Sequence, residues 1–335
     1  MNAQMDEQEF SMLLDPDRMS SREGVLRAAD KVADILPPTP LLPLEVDGRT
    51  IWCKAEVLQP IGAFKIRGGW HRLTDLTDEQ SANGVVAFSS GNHAQGVAWA
   101  AKRLGIAATI VMPSDAPAKK MENTRALGAK IVTYDRMTED RSEIAARIAG
   151  ESGAVVVPSF DDPWVIEGQG SAGIEAAAQL AVQANGATFD NAIICCGGGG
   201  LASGIALALP DTAITIVEPE GWNDAGRSLV NGKIESVGPN PPRTACDAIQ
   251  TFEICERTFT ILRERMALGV TVSEEEVGRA MRVAFEQLRL VVEPGGAVAL
   301  AAALSGKVEL GDQTLVTLSG GNVDWSVFQS MISAA

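Results

Sequence analysis

The chain has 335 residues, of which 46% are hydrophobic and 21% charged, and its formal net charge is -15. This length allows two domains, and the composition is that of a globular protein, which excludes a disordered or fibrous chain. The acidic balance argues against nucleic acid or an anionic membrane as the main partner, because both attract basic surfaces.

The N-terminal segment, the apolar runs and the cysteines favour a cytoplasmic protein that binds no membrane. The first ten residues are polar and acidic, without the basic and apolar regions of a secretory signal. No apolar run reaches the roughly 20 residues that span a bilayer. The five cysteines match no zinc spacing, and reduced thiols fit a cytosol. The two histidines, His71 and His93, are too few for a His-rich metal site.

The first forty residues are predicted to form a helix and then an extended approach to the core. Beyond them, short apolar runs rich in Val and Ile and bounded by Gly, Pro or Asp predict β-strands. The runs are apolar throughout, as in parallel strands that helices cover on both faces. The predicted strands are residues 85–88, 107–112, 129–134, 154–157, 191–196, 213–217 and 314–318.

Helical segments alternate with these strands. Residues 95–104 and 119–127 end at Gly105 and Gly128, which suit the left-handed position after a helix. Residues 167–184 are rich in Ala, and residues 274–288 show apolar spacing of three and four. The alternation predicts an α/β fold with parallel sheets.

Lys65 is the first candidate for chemistry, within Gly62-Ala63-Phe64-Lys65-Ile66-Arg67-Gly68. It lies between apolar residues and beside glycines. Partial burial lowers the pKa of a lysine and makes its amine a better nucleophile for an aldehyde. The alternative is a lysine that extends its charge into water, and for an isolated lysine this is the commoner case.

Two turns that follow predicted strands are candidate anion sites. Ser89-Ser90-Gly91-Asn92-His93 opens a helix whose free N–H groups suit a carboxylate, although one serine could merely cap that helix. Gly197-Gly198-Gly199-Gly200 joins a strand to an apolar helix and predicts a phosphate cradle rather than a linker. The loop lacks the patterns of a P-loop and of a dinucleotide site, so the phosphate belongs to a smaller compound.

Ser319 follows the last predicted strand, in Ser319-Gly320-Gly321-Asn322. Its hydroxyl would point from the strand end into the same crevice as the other turns, because ligands of α/β folds lie at the carboxyl ends of the strands. An ordinary turn serine is the competing interpretation.

Taken together, these motifs resemble the threonine/serine dehydratase and serine racemase family of fold-type II pyridoxal-phosphate enzymes, from about Pro38 to the C-terminus. The resemblance implies the α/β fold of the tryptophan synthase β-like type, with two open parallel-sheet αβα domains and the cofactor between them. It implies a large domain of residues 1–75 and 162–335, a small mobile domain of residues 76–161, a homodimer and a small amino-acid substrate.

The resemblance also implies roles around pyridoxal phosphate. Lys65 looks like the Schiff-base lysine, Phe64 packs against the ring, and Asn92 contacts the phenolic oxygen. Ser319 looks like the partner of the pyridine nitrogen, and Glu293 lines the site. The implied phosphate loop is Gly197, Gly198, Gly199, Gly200 and Leu201.

Substrate and metal positions follow from the same resemblance. Ser90 would act on the ring face opposite Lys65, which permits racemisation. Glu218, Asp224 and the carbonyl of Trp222 are similar to a divalent-metal site, and such oxygen ligands suit Mg²⁺ or Ca²⁺. A solvated acidic loop is the alternative, and the choice stays open. The implied substrate loop is Ser89, Ser90, Gly91, Asn92 and His93.

The leading activity is β-elimination, in which a β-hydroxy amino acid such as L-threonine or L-serine gives a 2-oxo acid and ammonia. Serine racemase and threo-3-hydroxyaspartate ammonia-lyase are the alternatives. Ala63 and Ser90 depart from the common Gly-Ser-Phe-Lys and Ser-Ala-Gly-Asn-His patterns, and both lean toward the hydroxyaspartate and racemase branch. A β-replacement synthase and a binding protein without activity fit the lysine motif less well.

Overall fold

The computed structural model describes residues 18–89, 91–116, 118–135 and 137–334, so Ser90 lies outside the described residues. The described strands form a six-stranded and a four-stranded sheet. In chain order they are β1 (Leu41–Val46), β2 (Arg49–Ala55), β3 (Val85–Phe88), β4 (Ala108–Pro113), β5 (Lys130–Tyr134), β6 (Val155–Val156), β7 (Asn191–Cys195), β8 (Ala213–Pro219), β9 (Leu268–Val272) and β10 (Thr314–Leu318).

The helices fall mainly between the strands. Within the described residues they are α1 (Arg22–Ala33), α2 (Lys65–Leu73), α3 (Asp78–Asn83), α4 (Asn92–Leu104), α5 (Ala118–Ala126), α6 (Arg141–Ser152), α7 (Pro163–Gln183), α8 (Gly200–Ala208), α9 (Asp224–Asn231), α10 (Glu256–Glu264), α11 (Glu274–Val283), α12 (Pro294–Leu304) and α13 (Trp325–Ala334). None of the described helices has the length and hydropathy of a membrane-spanning segment.

The six-stranded sheet has the order β1-β2-β10-β7-β8-β9, and the four-stranded sheet has the order β5-β4-β3-β6. All neighbours pair in parallel except β1 and β2. Those two strands form a hairpin through Asp47 and Gly48, which both have positive φ, as a two-residue hairpin turn requires. One antiparallel edge strand therefore modifies the expected parallel sheet.

The helix that begins at Lys65 packs closely against its neighbour. A β-carbon on Gly96 of α4 would lie 2.7 Å from the backbone oxygen of Lys65, and one on Gly69 of α2 would lie 2.9 Å from the backbone of Gly96. Only glycine allows this approach, because any side chain would separate the two backbones. The contact holds Lys65 beside the helix that starts at Asn92.

All seven predicted strands and the parallel α/β class are confirmed. The sequence pattern missed β1, β2 and β9, and the predicted helix 274–288 continues past Val283 as a π-helical turn, Ala284–Leu288, before Arg289 adopts a left-handed conformation. The strands of the four-stranded sheet fall between residues 85 and 156. The domain boundaries at 76 and 161 stay a prediction.

Candidate active site

Lys65 begins α2, and its amine lies inside the molecule. Its Nζ donates a hydrogen bond to the backbone oxygen of Ser159 at 2.6 Å and lies 5.2 Å from the centre of the Phe64 ring. Burial lowers the pKa of Lys65 to about 8, although the nearby Cys195 opposes the shift. About a tenth of this amine is therefore neutral near pH 7, far more than for an ordinary lysine. The neutral form is the one that a nucleophile or a general base needs.

The lysine loop is hydrogen-bonded to the turn after β10. Phe64 N donates to Ser319 O at 3.0 Å, and Ala63 forms an isolated antiparallel bridge with Gly320. Ser319 is only 4% exposed. These backbone contacts bring Lys65 and Ser319 to the same end of the six-stranded sheet, because β2 and β10 are adjacent parallel strands.

Cys195, at the end of β7, belongs to the same neighbourhood. Burial raises the pKa of its thiol, whereas hydrogen bonds with Ser319 and Thr317 and the charge of Lys65 act to lower it. The thiol is thus an uncharged, buried neighbour of the two residues. Sequence reasoning missed this position because a cysteine after an apolar strand looks like ordinary packing.

The glycine loop forms a cradle at the N-terminus of α8. Gly199 has φ of 83°, and Gly200 is the first residue of the helix. A β-carbon on Gly198 would lie 2.2 Å from the ring of Phe160, while Leu201 is buried against the core. The Phe160 ring lies directly against this glycine, so the loop has no room for a side chain on that side. The N–H groups at the start of α8 are those of a helix N-terminus, which suits a phosphate group. A β-carbon on Gly197 would lie 3.0 Å from Ile249, which covers this loop.

Asn92 connects the start of α4 to Glu293 and Asn322. Its Nδ2 donates to Glu293 Oε1 at 2.7 Å, and its Oδ1 accepts from Asn322 Nδ2 at 2.7 Å. Glu293 is 3% exposed. Burial and the charge of Asp247 raise the pKa of Glu293 to about 8, against the hydrogen bond from Asn92. The carboxyl group is therefore mostly protonated near neutral pH.

The other described residues of the predicted substrate loop have local partners. Ser89 Oγ accepts from Gly91 N at 3.2 Å, and Ser89 N donates to Val111 O at 3.1 Å. His93 is buried, and its Nε2 lies 2.8 Å from Val157 O. Burial and the charge of Lys65 lower the pKa of His93 to about 3, so this ring is neutral.

Two basic side chains near the site were not indicated by the sequence motifs. Lys120 lies close enough to Glu293 for its charge to lower the pKa of that carboxyl group. Lys120, in α5, forms an ion pair with Asp247, with 3.0 Å between Nζ and Oδ2. Asp247 lies in the same turn as Ile249, which contacts the glycine loop. The Arg141 guanidinium carbon lies 5.6 Å from the centre of the ring of Phe88, the residue that precedes Ser89.

Glu218 and Asp224 form a buried acidic pair at the end of β8. The carboxylate of Glu218 accepts from Ala225 N and Gly226 N at 2.9 and 2.8 Å, whereas Asp224 Oδ2 is buried without a hydrogen-bond partner. Burial, with the charge of Asp224, raises the pKa of Glu218 to about 8, and burial raises that of Asp224 to about 7. An unpaired buried carboxylate oxygen fits a hard cation.

In the described part of the chain, no three or more His, Cys, Asp or Glu side chains are grouped to hold a metal ion. Trp222, whose carbonyl is the third predicted ligand, is buried and donates its ring N–H to Pro242 O at 2.8 Å.

Comparison with known proteins gives concordant matches. Residues 32–320 match the sequence profile of the family described as "Pyridoxal-phosphate dependent enzyme". The chain is 41% identical to L-threo-3-hydroxyaspartate ammonia-lyase from Saccharomyces cerevisiae, over 92% of this chain and 95% of the relative. It is 40% identical to the protein of the same name from a Pseudomonas species, over 94% of this chain and 99% of that relative. Among solved structures, maize serine racemase superposes with a TM-score of 0.85 at 34% identity, over 94% of this chain and 98% of the other.

Proposed function

The chain belongs to the pyridoxal-phosphate dependent enzyme family, and on that premise we propose that it is an ammonia-lyase whose preferred substrate is L-threo-3-hydroxyaspartate. Its products are the 2-oxo acid and ammonia. The observation that carries the proposal is the position of Lys65, whose amine has a pKa of about 8 and whose loop is hydrogen-bonded to the Ser319 turn.

The residues fit pyridoxal phosphate. The glycine loop at the start of α8 would hold the phosphate, Ser319 would face the ring nitrogen, and Lys65 would carry the aldehyde carbon. Asn92 would donate to the phenolic oxygen, and Phe64 would contact the ring. When bound, the cofactor delocalises the negative charge that develops on the substrate Cα.

The remaining steps, proton transfer and substrate binding, depend on side chains and backbone groups of the protein. The neutral amine of Lys65 takes the proton from the substrate Cα. The N–H groups at the start of α4, with Ser89, bind the substrate carboxylate. Ser319 offers a neutral hydroxyl and no negative charge, so it does not hold the ring nitrogen protonated as a carboxylate would. A weaker electron sink favours prompt loss of the β-hydroxyl over transamination.

Two observations support hydroxyaspartate ahead of threonine and serine. Relatives at 41% and 40% identity, nearly full-length, carry that name. In addition, Arg141 packs on Phe88 next to the substrate loop, and the charge of Lys120 acts on Glu293. Only an acidic substrate has a second carboxylate for such cations to bind. Threonine and serine have no group that would use them.

Racemisation is a second candidate activity. The maize relative of similar structure is a serine racemase, and Ser90 is a hydroxyl-bearing residue that could return a proton to the face of Cα opposite Lys65. Analysis of the recovered amino acid on a chiral column separates this activity from elimination.

We also propose that Glu218, Asp224 and the carbonyl of Trp222 bind Mg²⁺ or Ca²⁺. The support is the unpaired Asp224 oxygen beside a second buried carboxylate. A divalent ion would relieve the cost of holding both charges away from water.

The decisive experiment titrates the purified protein with hydroxyaspartate, threonine, serine and an aryl-serine while absorbance and 2-oxo acid are recorded together. We expect a bound-cofactor band that Lys65→Ala abolishes and that Lys102→Ala, at an exposed lysine, leaves intact. Oxo acid should form fastest from hydroxyaspartate. A band that responds to substrate without any oxo acid contradicts the lyase, and no band with added pyridoxal phosphate contradicts the cofactor assignment.

A further inference from the structure

A chain of amide hydrogen bonds leads from the lysine loop to Glu293. Asn322 Nδ2 donates to Ile61 O at 2.8 Å and to Asn92 Oδ1 at 2.7 Å. Asn92 Nδ2 then donates to Glu293 Oε1 at 2.7 Å. The direction of the chain follows from its first member, because a backbone carbonyl can only accept a hydrogen bond. Asn322 must turn its NH₂ group toward Ile61.

That orientation determines the orientation of Asn92. The same NH₂ group of Asn322 faces Asn92, so Asn92 must present its oxygen to Asn322 and its own NH₂ group to the opposite side. One N–H of that group reaches Glu293. The second N–H is left for an acceptor at the site, where the phenolic oxygen of the cofactor would lie.

We infer that Asn322 is a positioning residue that fixes which end of the Asn92 amide faces the cofactor. The inference rests on the proposed function, because it assumes that Asn92 contacts bound pyridoxal phosphate. Without Asn322, the Asn92 amide can rotate by half a turn. It would then present a carbonyl oxygen to an electron-rich phenolic oxygen, which is repulsive.

The backbone around Asn322 is arranged to keep it in place. Gly62 has φ of 72°, and a β-carbon there would lie 2.6 Å from Asn322 Oδ1. Gly321 N donates to Gly62 O at 2.9 Å, one residue before Asn322. Asn322 therefore ties together the lysine loop, the start of α4 and the turn after β10.

The most informative substitution is Asn322→Asp, which keeps the shape and removes the NH₂ donor. A carboxylate at 322 accepts hydrogen bonds only, so Asn92 must turn its NH₂ group toward it and its oxygen toward the cofactor. Asn322→Ala removes the donor that orients the Asn92 amide but adds no acceptor that would favour the opposite orientation. The matched control is Asn191→Asp, because Asn191 also donates to a backbone carbonyl, Glu309 O at 3.1 Å, but lies at the opposite end of β7.

Quenching of tryptophan fluorescence measures the dissociation constant of pyridoxal phosphate. The absorbance spectrum gives the wavelength of the bound-cofactor band and the pH at its titration midpoint. For Asn322→Asp we expect affinity to fall about tenfold, the effect of one hydrogen bond to a charged oxygen, and the band to shift. Asn322→Ala should lose less affinity than Asn322→Asp, and Asn191→Asp should behave like the wild type.

A double-mutant cycle separates positioning from a purely structural effect. In the Asn92→Ala background there is no amide to orient, so adding Asn322→Asp should change the affinity by less than about twofold. An undiminished loss in that background overturns the inference, as does a wild-type band and affinity in both Asn322 variants. If the wild-type protein itself gives no cofactor band, the proposed function fails instead.

Discussion

Phe160 lies so close to Gly198 that a β-carbon on this glycine would come within 2.2 Å of the aromatic ring. The preceding residue, Ser159, accepts the hydrogen bond from Lys65 Nζ. The segment between β6 and α7 therefore contacts both the Lys65 amine and the glycine loop.

Gly198→Ala tests the cradle. A methyl group must displace Phe160 or the loop, so we expect affinity for pyridoxal phosphate to fall by about tenfold or more, in line with the cost of overpacking a tight site. Adding Phe160→Ala removes the atoms in conflict and should restore part of the affinity. Gly150→Ala is the control, because a β-carbon there meets no atom within 4 Å. Equal affinity in Gly198→Ala and the control contradicts this placement of the phosphate.

The pKa of Lys65 predicts how reconstitution with the cofactor depends on pH. Only the neutral amine attacks an aldehyde, so the rate at which the cofactor band forms should rise about tenfold per pH unit below 8 and level off above it. Stopped-flow absorbance from pH 6 to 10 measures this rate. A midpoint near that of an exposed lysine, about 10.4, would show that the amine is not desolvated.

Lys120→Met tests the recognition of an acidic substrate. Loss of one charged hydrogen bond to the second carboxylate should lower kcat/KM for hydroxyaspartate about ten- to a hundredfold and leave serine unaffected. Asp247, the partner of Lys120 in the structure, has a half-exposed side chain, so its isolation costs little stability. Lys102→Met at an exposed helix position is the control, and equal losses for both substrates would rule out a role in discrimination.

Glu218→Gln tests the proposed metal site. In the wild type, saturating Mg²⁺ or Ca²⁺ should raise the thermal midpoint by several degrees, because an ion that binds only the folded state stabilises it by about 2–4 kcal/mol. The shift should vanish in Glu218→Gln and persist in Glu220→Gln, at an exposed neighbouring carboxylate. No shift in the wild type contradicts the metal site.

Arg67→Met tests the anchoring of the lysine helix. Arg67 lies two residues after Lys65 and donates two hydrogen bonds of 2.8 Å to the buried carboxylate of Glu56. Removal of one partner leaves a buried charge unpaired, so urea unfolding should show a loss of about 3–5 kcal/mol. Arg147→Ala, which breaks the exposed pair with Glu151, should cost less than about 0.5 kcal/mol.

Much of the fold follows from local patterns. Five of the seven predicted strands, β3, β4, β7, β8 and β10, are buried on both faces, and the apolar run that a buried parallel strand requires is visible without any partner. The edge strands β5 and β6 are only partly buried. Of the three missed strands, β1 and β9 are the edges of the six-stranded sheet, and β2 pairs with β1. The burial of β1 is broken by exposed positions, and β9 is largely exposed. Their pairing depends on neighbours distant in the chain.

The candidate site divides in the same way. By itself, the sequence determined the family of cofactor chemistry, and it predicted Lys65, the glycine loop and the Ser319 turn as its site, because each motif combines a residue type with a local backbone requirement. Only the tertiary structure shows that Asn322 donates a hydrogen bond to Asn92, that Phe160 packs against Gly198 and that Lys120 pairs with Asp247. These contacts join residues 38 to 230 positions apart, so they depend on how helices and sheets pack, and no local pattern records such packing.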